Sequence, residues 1–120
     1  LFHRNKARLE KEVASGEKAI GDYKFNTVKD ENGYVRTKTD NKNVVRQKEY
    51  FNAKGKKIKT ETFDTNKNRT ELTEGNVTTE YYADGDVKRV KYPNNKTVEF
   101  IYENCKLTGA EYTEEISKER

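Results

Sequence analysis

Apolar residues recur along the chain in two rhythms. In LFHRNKARLEKEVASG, residues 1–16, Phe2, Leu9 and Val13 stand at i, i+7 and i+11, one face of a helix, and Ser15-Gly16 supplies a stop. A helix this short is marginal in water, so its stripe must dock on something. A first strand is expected around Tyr23 to Val28. From there turn signals become regular: Asn32-Gly33, Asn41 to Asn43, Lys54-Gly55, Asn66 to Asn68, Glu74-Gly75, Asp84-Gly85, Asn94-Asn95 and Asn104-Cys105. Between Gly75 and Cys105 they repeat every ten residues, and Gly55 lies twenty upstream. Ten residues accommodate a tight turn and one strand of a meander.

Between these turns the residues alternate. Val77, Thr79 and Tyr81 share one parity with Val90 and Tyr92, with Val98, Phe100 and Tyr102, and with Ala110 and Tyr112, while Thr, Lys, Arg and Glu fill most positions between. Such strands are half buried. The register is less regular through VVRQKEYF, Ile58 and Phe63. Pro93, the single proline, falls at a strand end where its missing N–H does no harm. The pattern predicts a mainly β protein: an antiparallel meander of about 7–8 strands, open or partly rolled, with the N-terminal amphipathic helix packed on its apolar face. A small closed β-barrel is the alternative. The expected organisation is a helical segment over 1–20, a repeat domain over 21–114 and a tail over 115–120.

The segments EYFNAKGKKIKTETF, EYYADGDVKRVKY and FIYENCKLTGAEY share an aromatic pair or near-pair, a short turn, an aliphatic residue after it and a closing Tyr or Phe. Over residues 49–112 the chain resembles the β-hairpin repeats of MORN-like antitoxin proteins and YD-repeat proteins, and it is similar to a repeated domain of secreted phytoplasma proteins. YENCKLTGAEY matches best, with Cys105 where those repeats usually have Gly. The resemblance implies a non-enzymatic module for protein association, of the kind found in effector, immunity or antitoxin proteins, and it carries over no catalytic residue.

Composition limits the core. Of the 120 residues, 31% are apolar and 38% charged, with no Met and no Trp, so the eight Tyr and five Phe must supply much of any burial. The net charge of +4 is unevenly spread: residues 1–60 hold sixteen Lys and Arg against eight Asp and Glu, and residues 61–120 hold nine against thirteen. That asymmetry can orient the molecule on a partner. No apolar run approaches the roughly 18–20 residues that cross a bilayer, so membrane insertion is not expected. The chain starts at Leu1, and a secreted or exported protein is the expected setting, with the cytoplasm as the alternative.

The catalytic inventory is sparse. His3 is the single histidine, and its potential nucleophiles Ser15, Ser117 and Cys105 lie in terminal segments or at a turn. One Cys and one His do not make a structural zinc site. Cys105 has Lys106 beside it in sequence but no basic cluster to activate it, and reads as a small turn residue. With twenty-one Asp and Glu, carboxylate pairs are too common to mean anything. The glycines stand singly, without a phosphate-binding loop, and the Asn-x-Thr sequons at Asn68, Asn76 and Asn95 are close to chance in so Asn- and Thr-rich a chain. The expectation is a protein that is not an enzyme and needs no cofactor or metal.

Binding is the remaining class. Tyr82, Val87 and Ile101 fall off the apolar parity or beside it, and are expected on a common outer face, flanked by Lys88 and Thr97, as hydrophobic anchors for another protein. The run KGKKIK, with Lys54, Lys56, Lys57 and Lys59, is expected at a hairpin tip near Tyr50 and Phe51, where it would steer an acidic protein partner. Alternatively, these lysines and rings would hold single-stranded nucleic acid.

Overall fold

The computed structural model describes residues 2–116, without the side chains of Phe2 and His3. The expectations that fall on those two side chains and on Ser117 lie outside the described residues. A helix, α1 (Phe2–Ser15), is followed by ten strands: β1 (Lys18–Ile20), β2 (Tyr23–Asp30), β3 (Gly33–Thr39), β4 (Val45–Asn52), β5 (Lys57–Phe63), β6 (Arg69–Glu74), β7 (Val77–Tyr81), β8 (Val87–Tyr92), β9 (Lys96–Glu103) and β10 (Lys106–Glu114). They form one antiparallel sheet in chain order, open at β1 and β10. The mainly β meander with an N-terminal helix is therefore as expected, but it has ten strands rather than seven or eight and does not close into a barrel. The extra hairpin includes β1, three exposed residues within the segment 1–20 expected to be helical.

Side-chain chemistry builds the turns. Asp40–Val44, Asn52–Lys56, Asp64–Asn68 and Tyr82–Asp86 are five-residue turns in which the first N–H donates to the fifth carbonyl and the fourth N–H donates back to the first. The fourth residue has positive φ in each: Asn43 at 64°, Gly55 at 88°, Lys67 at 70° and Gly85 at 99°. In three of these turns Asp40, Asn52 or Asp64 accepts the N–H groups two and four residues on, at 2.8–3.0 Å. Such an Asx arrangement satisfies backbone donors that the ladder leaves over. Each turn adjoins a register shift, at Lys38/Thr39, Tyr50/Phe51, Thr62/Phe63 and Glu80/Tyr81. A bulge puts one extra residue into the strand, so side-chain parity changes across it.

The registers define two faces. On the helix face one row crosses nine strands, Thr27, Arg36, Glu49, Thr60, Thr73, Thr78, Lys91, Thr97 and Thr113. The helix covers β2–β4 of this face, where Leu9 and Tyr34 are 1% exposed and Phe51 is 8% exposed, with Val13 packed against them. Polar contacts fix the docking. Glu12 accepts from Thr27 Oγ1 at 2.8 Å and from Arg36 at 3.0–3.1 Å, while Glu10 accepts from Lys29 at 3.1 Å and from Tyr34 Oη. The turn 52–56 abuts the helix so closely that a Cβ on Gly55 would lie 2.8 Å from the Lys6 backbone nitrogen.

The opposite, open face carries Asn26, Thr37, Lys48, Glu61, Leu72, Thr79, Val90, Val98 and Tyr112 in register. This row is polar through β5 and mainly apolar beyond it. The helix side therefore carries the buried apolar cluster at β2–β4 and a polar row beyond it, whereas the open face carries most of the apolar residues of β6–β10 together with Val28, Val35 and Tyr50. The parity set from Val77 to Tyr112 does share one face, but the helix lies on the other, which corrects the expected docking. Tyr34 and Phe51 attract α1 to their own side because, with Leu9, they make the one buried cluster among the described residues.

Candidate functional site

The open face of β6–β10 is built from alternate residues whose partners the register fixes. Thr79 lies opposite Leu72 and Val90, Val98 opposite Val90 and Tyr112, and Phe100 opposite Ala110. None of these apolar side chains is buried, and from Asn52 onward Gly55 is the one buried residue among those described. A sheet normally buries its apolar face against a second layer. Here no described element supplies one.

Rings and cations interleave over this face. The Tyr82 and Tyr102 rings meet edge to face with centroids 6.1 Å apart, and Tyr102 Oη donates to the Val87 carbonyl at 2.6 Å. Lys88 Nζ stands 5.7 Å from the centroid of Tyr82 and the Arg69 guanidinium 4.9 Å from that of Tyr81. Nearer the sheet centre, Lys59 lies 4.9 Å from the Tyr50 ring, whose hydroxyl donates to Glu61 at 2.6 Å. Burial, then the hydrogen bond to the Glu61 carboxylate, pushes the Tyr50 hydroxyl up to about 12. Burial would also raise the Glu61 carboxyl, but hydrogen bonds from Tyr50 and Arg69 outweigh it and hold the group below its usual range. At the margin Tyr92 is 44% exposed and Tyr112 58%, with Tyr112 Oη donating to Glu114 at 3.0 Å.

The residues expected to form one site are divided. Tyr82 and Val87 do lie together, around Tyr102. Ile101 does not join them: it precedes Tyr102 on the alternate parity, opposite Gly109 on the helix side of the sheet, and Thr97 shares that side. A common outer face of Tyr82, Val87 and Ile101 is thus not formed. Nor do the four lysines make one patch. Lys54 and Lys56 sit in the turn 52–56, at the end of the sheet opposite the turn 82–86; Lys57 Nζ bonds Glu49 on the helix side at 3.0 Å; and Lys59 points to the open face over Tyr50. Tyr81, Phe100, Tyr102 and Tyr112, whose shared parity predicts a face under the helix, are not core. The pairing through the bulges puts them on the uncovered side.

The helix side of β7–β10 is polar. Glu80 accepts from Lys91 at 3.0 Å and from Arg89, which also reaches Glu99 at 3.3 Å. Arg89 thus stands directly between Glu80 and Glu99 in the register and offsets the like charges that Glu71 and Glu111 place opposite them. Among the described residues no group of three His, Cys, Asp or Glu side chains converges in a way that could hold a metal, and no helix is long and apolar enough to cross a membrane. Cys105 is exposed at the tip of the last hairpin. Comparison of the chain with family models, with curated proteins and with solved structures finds no match.

Proposed function

We propose that the protein is a non-enzymatic binding module that grips another protein with the open face of β6–β10. The observation that carries this reading is the sidedness of the second half of the sheet: apart from Ile101, the large apolar residues of its five strands collect on one side that no described element covers. Five strands at about 4.8 Å spacing and about 20 Å length present roughly 500 Å² of flat area. That is the scale of surface patch that marks a partner site. Lys59 opposite Glu74 and Lys96 opposite Glu114 give it a polar margin, the usual anatomy of a protein interface. The repeat resemblance supports the same class, and an exported effector or immunity-type role is the setting we infer from it. A second reading, single-stranded nucleic acid, draws on the cations over Tyr50, Tyr81 and Tyr82 on this face.

Affinity capture at low and high salt, with identification of what is retained, separates the two. A protein retained at high salt is expected. Tyr82→Ala with Tyr112→Ala should weaken its binding about 30-fold, about 2 kcal/mol, with an unchanged circular dichroism spectrum because both rings are exposed. Ile101→Ala, equally exposed on the other side, should be silent. Retention of nucleic acid that salt removes would transfer the assignment to the second reading. A silent tyrosine pair beside a damaging Ile101→Ala would place the site on the wrong face.

A further inference from the structure

Between the C-terminal half of α1 and β1–β4, on the side away from the proposed protein-binding face, lies a cleft of about 530 Å³. That volume falls within the range of small-molecule sites, about 300–1,000 Å³. Phe25 of β2 and Ile20 of β1 give it apolar walls, and Ile20 is 55% exposed. Its charged groups divide into two sets. Arg36 on the floor is engaged by Glu12 at 3.0 Å and by Glu49 at 3.1 Å, and Glu49 also holds Lys57 at 3.0 Å. These two cations and two carboxylates neutralise one another. Arg8 and Lys11 on the helix and Lys18 on β1 also line the cleft, are exposed, and make no ion pair among the described residues. The cleft therefore combines an apolar wall with three uncompensated positive charges above a fixed, neutral floor.

We propose that this cleft binds a small amphiphilic anion: a carboxylate, sulfonate or phosphate ester carried on an aromatic or aliphatic body. The body would cover Ile20 and Phe25, removing apolar surface from water. The anionic group would accept charge-assisted hydrogen bonds from Lys11 and Arg8 on one wall and Lys18 on the other. The carbonyls that end α1 near Ser15 and Gly16 repel negative charge, so the anion sits away from that helix end, among Arg8, Lys11 and Lys18, and the apolar body lies on Ile20 and Phe25.

Two probes test this on the full chain by amide chemical-shift titration: 1-naphthalenesulfonate and its neutral counterpart 1-naphthalenemethanol. The sulfonate is expected to give saturable shifts at Gly16, Lys18, Ile20 and Phe25, and to bind at least tenfold more tightly than the neutral probe. Dodecanoate competing for the same amides would extend the class to aliphatic bodies, and failure to compete would restrict it to aromatic ones. Lys11→Glu with Lys18→Glu should reduce sulfonate affinity tenfold or more with an unchanged circular dichroism spectrum, whereas Lys11→Arg with Lys18→Arg should retain it. The proposal is overturned by shifts confined to Val90 and Val98 on the other face, by equal affinity for the neutral probe, by unchanged binding in the charge-reversed variant, or by no saturable shift.

Discussion

Replacing Leu9 with alanine should undock the helix and leave the second half of the sheet intact. Leu9 is 1% exposed and shares its cluster with Tyr34, Phe51 and the flanking Val13. Truncating a fully buried leucine costs about 3 kcal/mol in lost transfer energy and residual cavity. Little stands in reserve, because a 14-residue helix holds poorly in water without its docking face. The Glu10–Lys29 pair is half exposed and the Glu12–Arg36 pair partly so, and ion pairs open to water contribute little once the apolar anchor is gone. At 1.4 kcal/mol per factor of ten, a loss of about 3 kcal/mol is about a hundredfold. Hydrogen exchange resolved by segment should then show α1 and β2–β4 exchanging about a hundredfold faster, with β6–β10 changed less than about twofold, since no packing joins them to the helix. Leu9→Met, which conserves volume, should cost under about 1.5 kcal/mol. Equal acceleration in β8–β10 would show that helix and sheet melt as one cooperative unit, and unchanged exchange in α1 would show that Leu9 is not the anchor.

Cys105 has φ 65° in the last hairpin turn, a left-handed conformation that costs a side-chain-bearing residue roughly 1 kcal/mol. Cys105→Gly should therefore raise stability by about 0.5–1 kcal/mol in denaturant titration, and Cys105→Ser should leave it unchanged. Acid should destabilise the fold. Asp40 and Asp64 are held below the usual carboxylate range by backbone N–H groups, chiefly those of Val44 and Asn68, against a smaller upward push from desolvation. Glu49, Glu61 and Glu80 are held below it by ion pairs and hydrogen bonds that outweigh desolvation. A depressed folded pKa gives stability that is complete above the unfolded values of 3.8 and 4.5 and is lost as pH falls through the folded ones. Tyr50, raised to about 12, gives the converse: stability complete below its unfolded value of 10.0 and lost as pH rises toward 12. The thermal midpoint should accordingly be flat from about pH 5 to about pH 9 and fall on both sides; a midpoint that rises on acidification would contradict the assignment.

The local structure was largely legible from the sequence. All eight turn signals mark turns, because Gly, Asn and Asp fill positions whose φ or side-chain acceptors the turns need. The hairpin at Gly21-Asp22 was missed because β1 is too short and exposed to alternate. The sidedness of the sheet was not legible. Four five-residue turns each bring a bulge, so the parity of Phe51 cannot be carried to Phe63 or from Tyr81 to Val87 by counting. The irregular register around VVRQKEYF and Phe63 was the trace of those bulges. Without the pairing, Tyr34 and Phe51 could not be separated from the Val90, Val98 and Tyr112 set, and the helix went to the wrong side. Ile101 fell from the expected site for the related reason that Tyr102, its neighbour, turns toward Tyr82.

Hydroxyl-radical footprinting of the protein alone and in its captured complex tests the claim that the helix-free face of β6–β10 meets the partner. In the free protein Tyr82, Tyr92 and Tyr112 should oxidise readily and Tyr34 slowly, in keeping with exposures of 43%, 44%, 58% and 1%. In the complex Tyr82, Tyr102 and Tyr112 should become protected while Ile101 and the residues of α1 keep their rates. Protection confined to Ile101 and the helix, or to the turn at Lys54 and Lys56, with the open-face tyrosines unchanged, would contradict it.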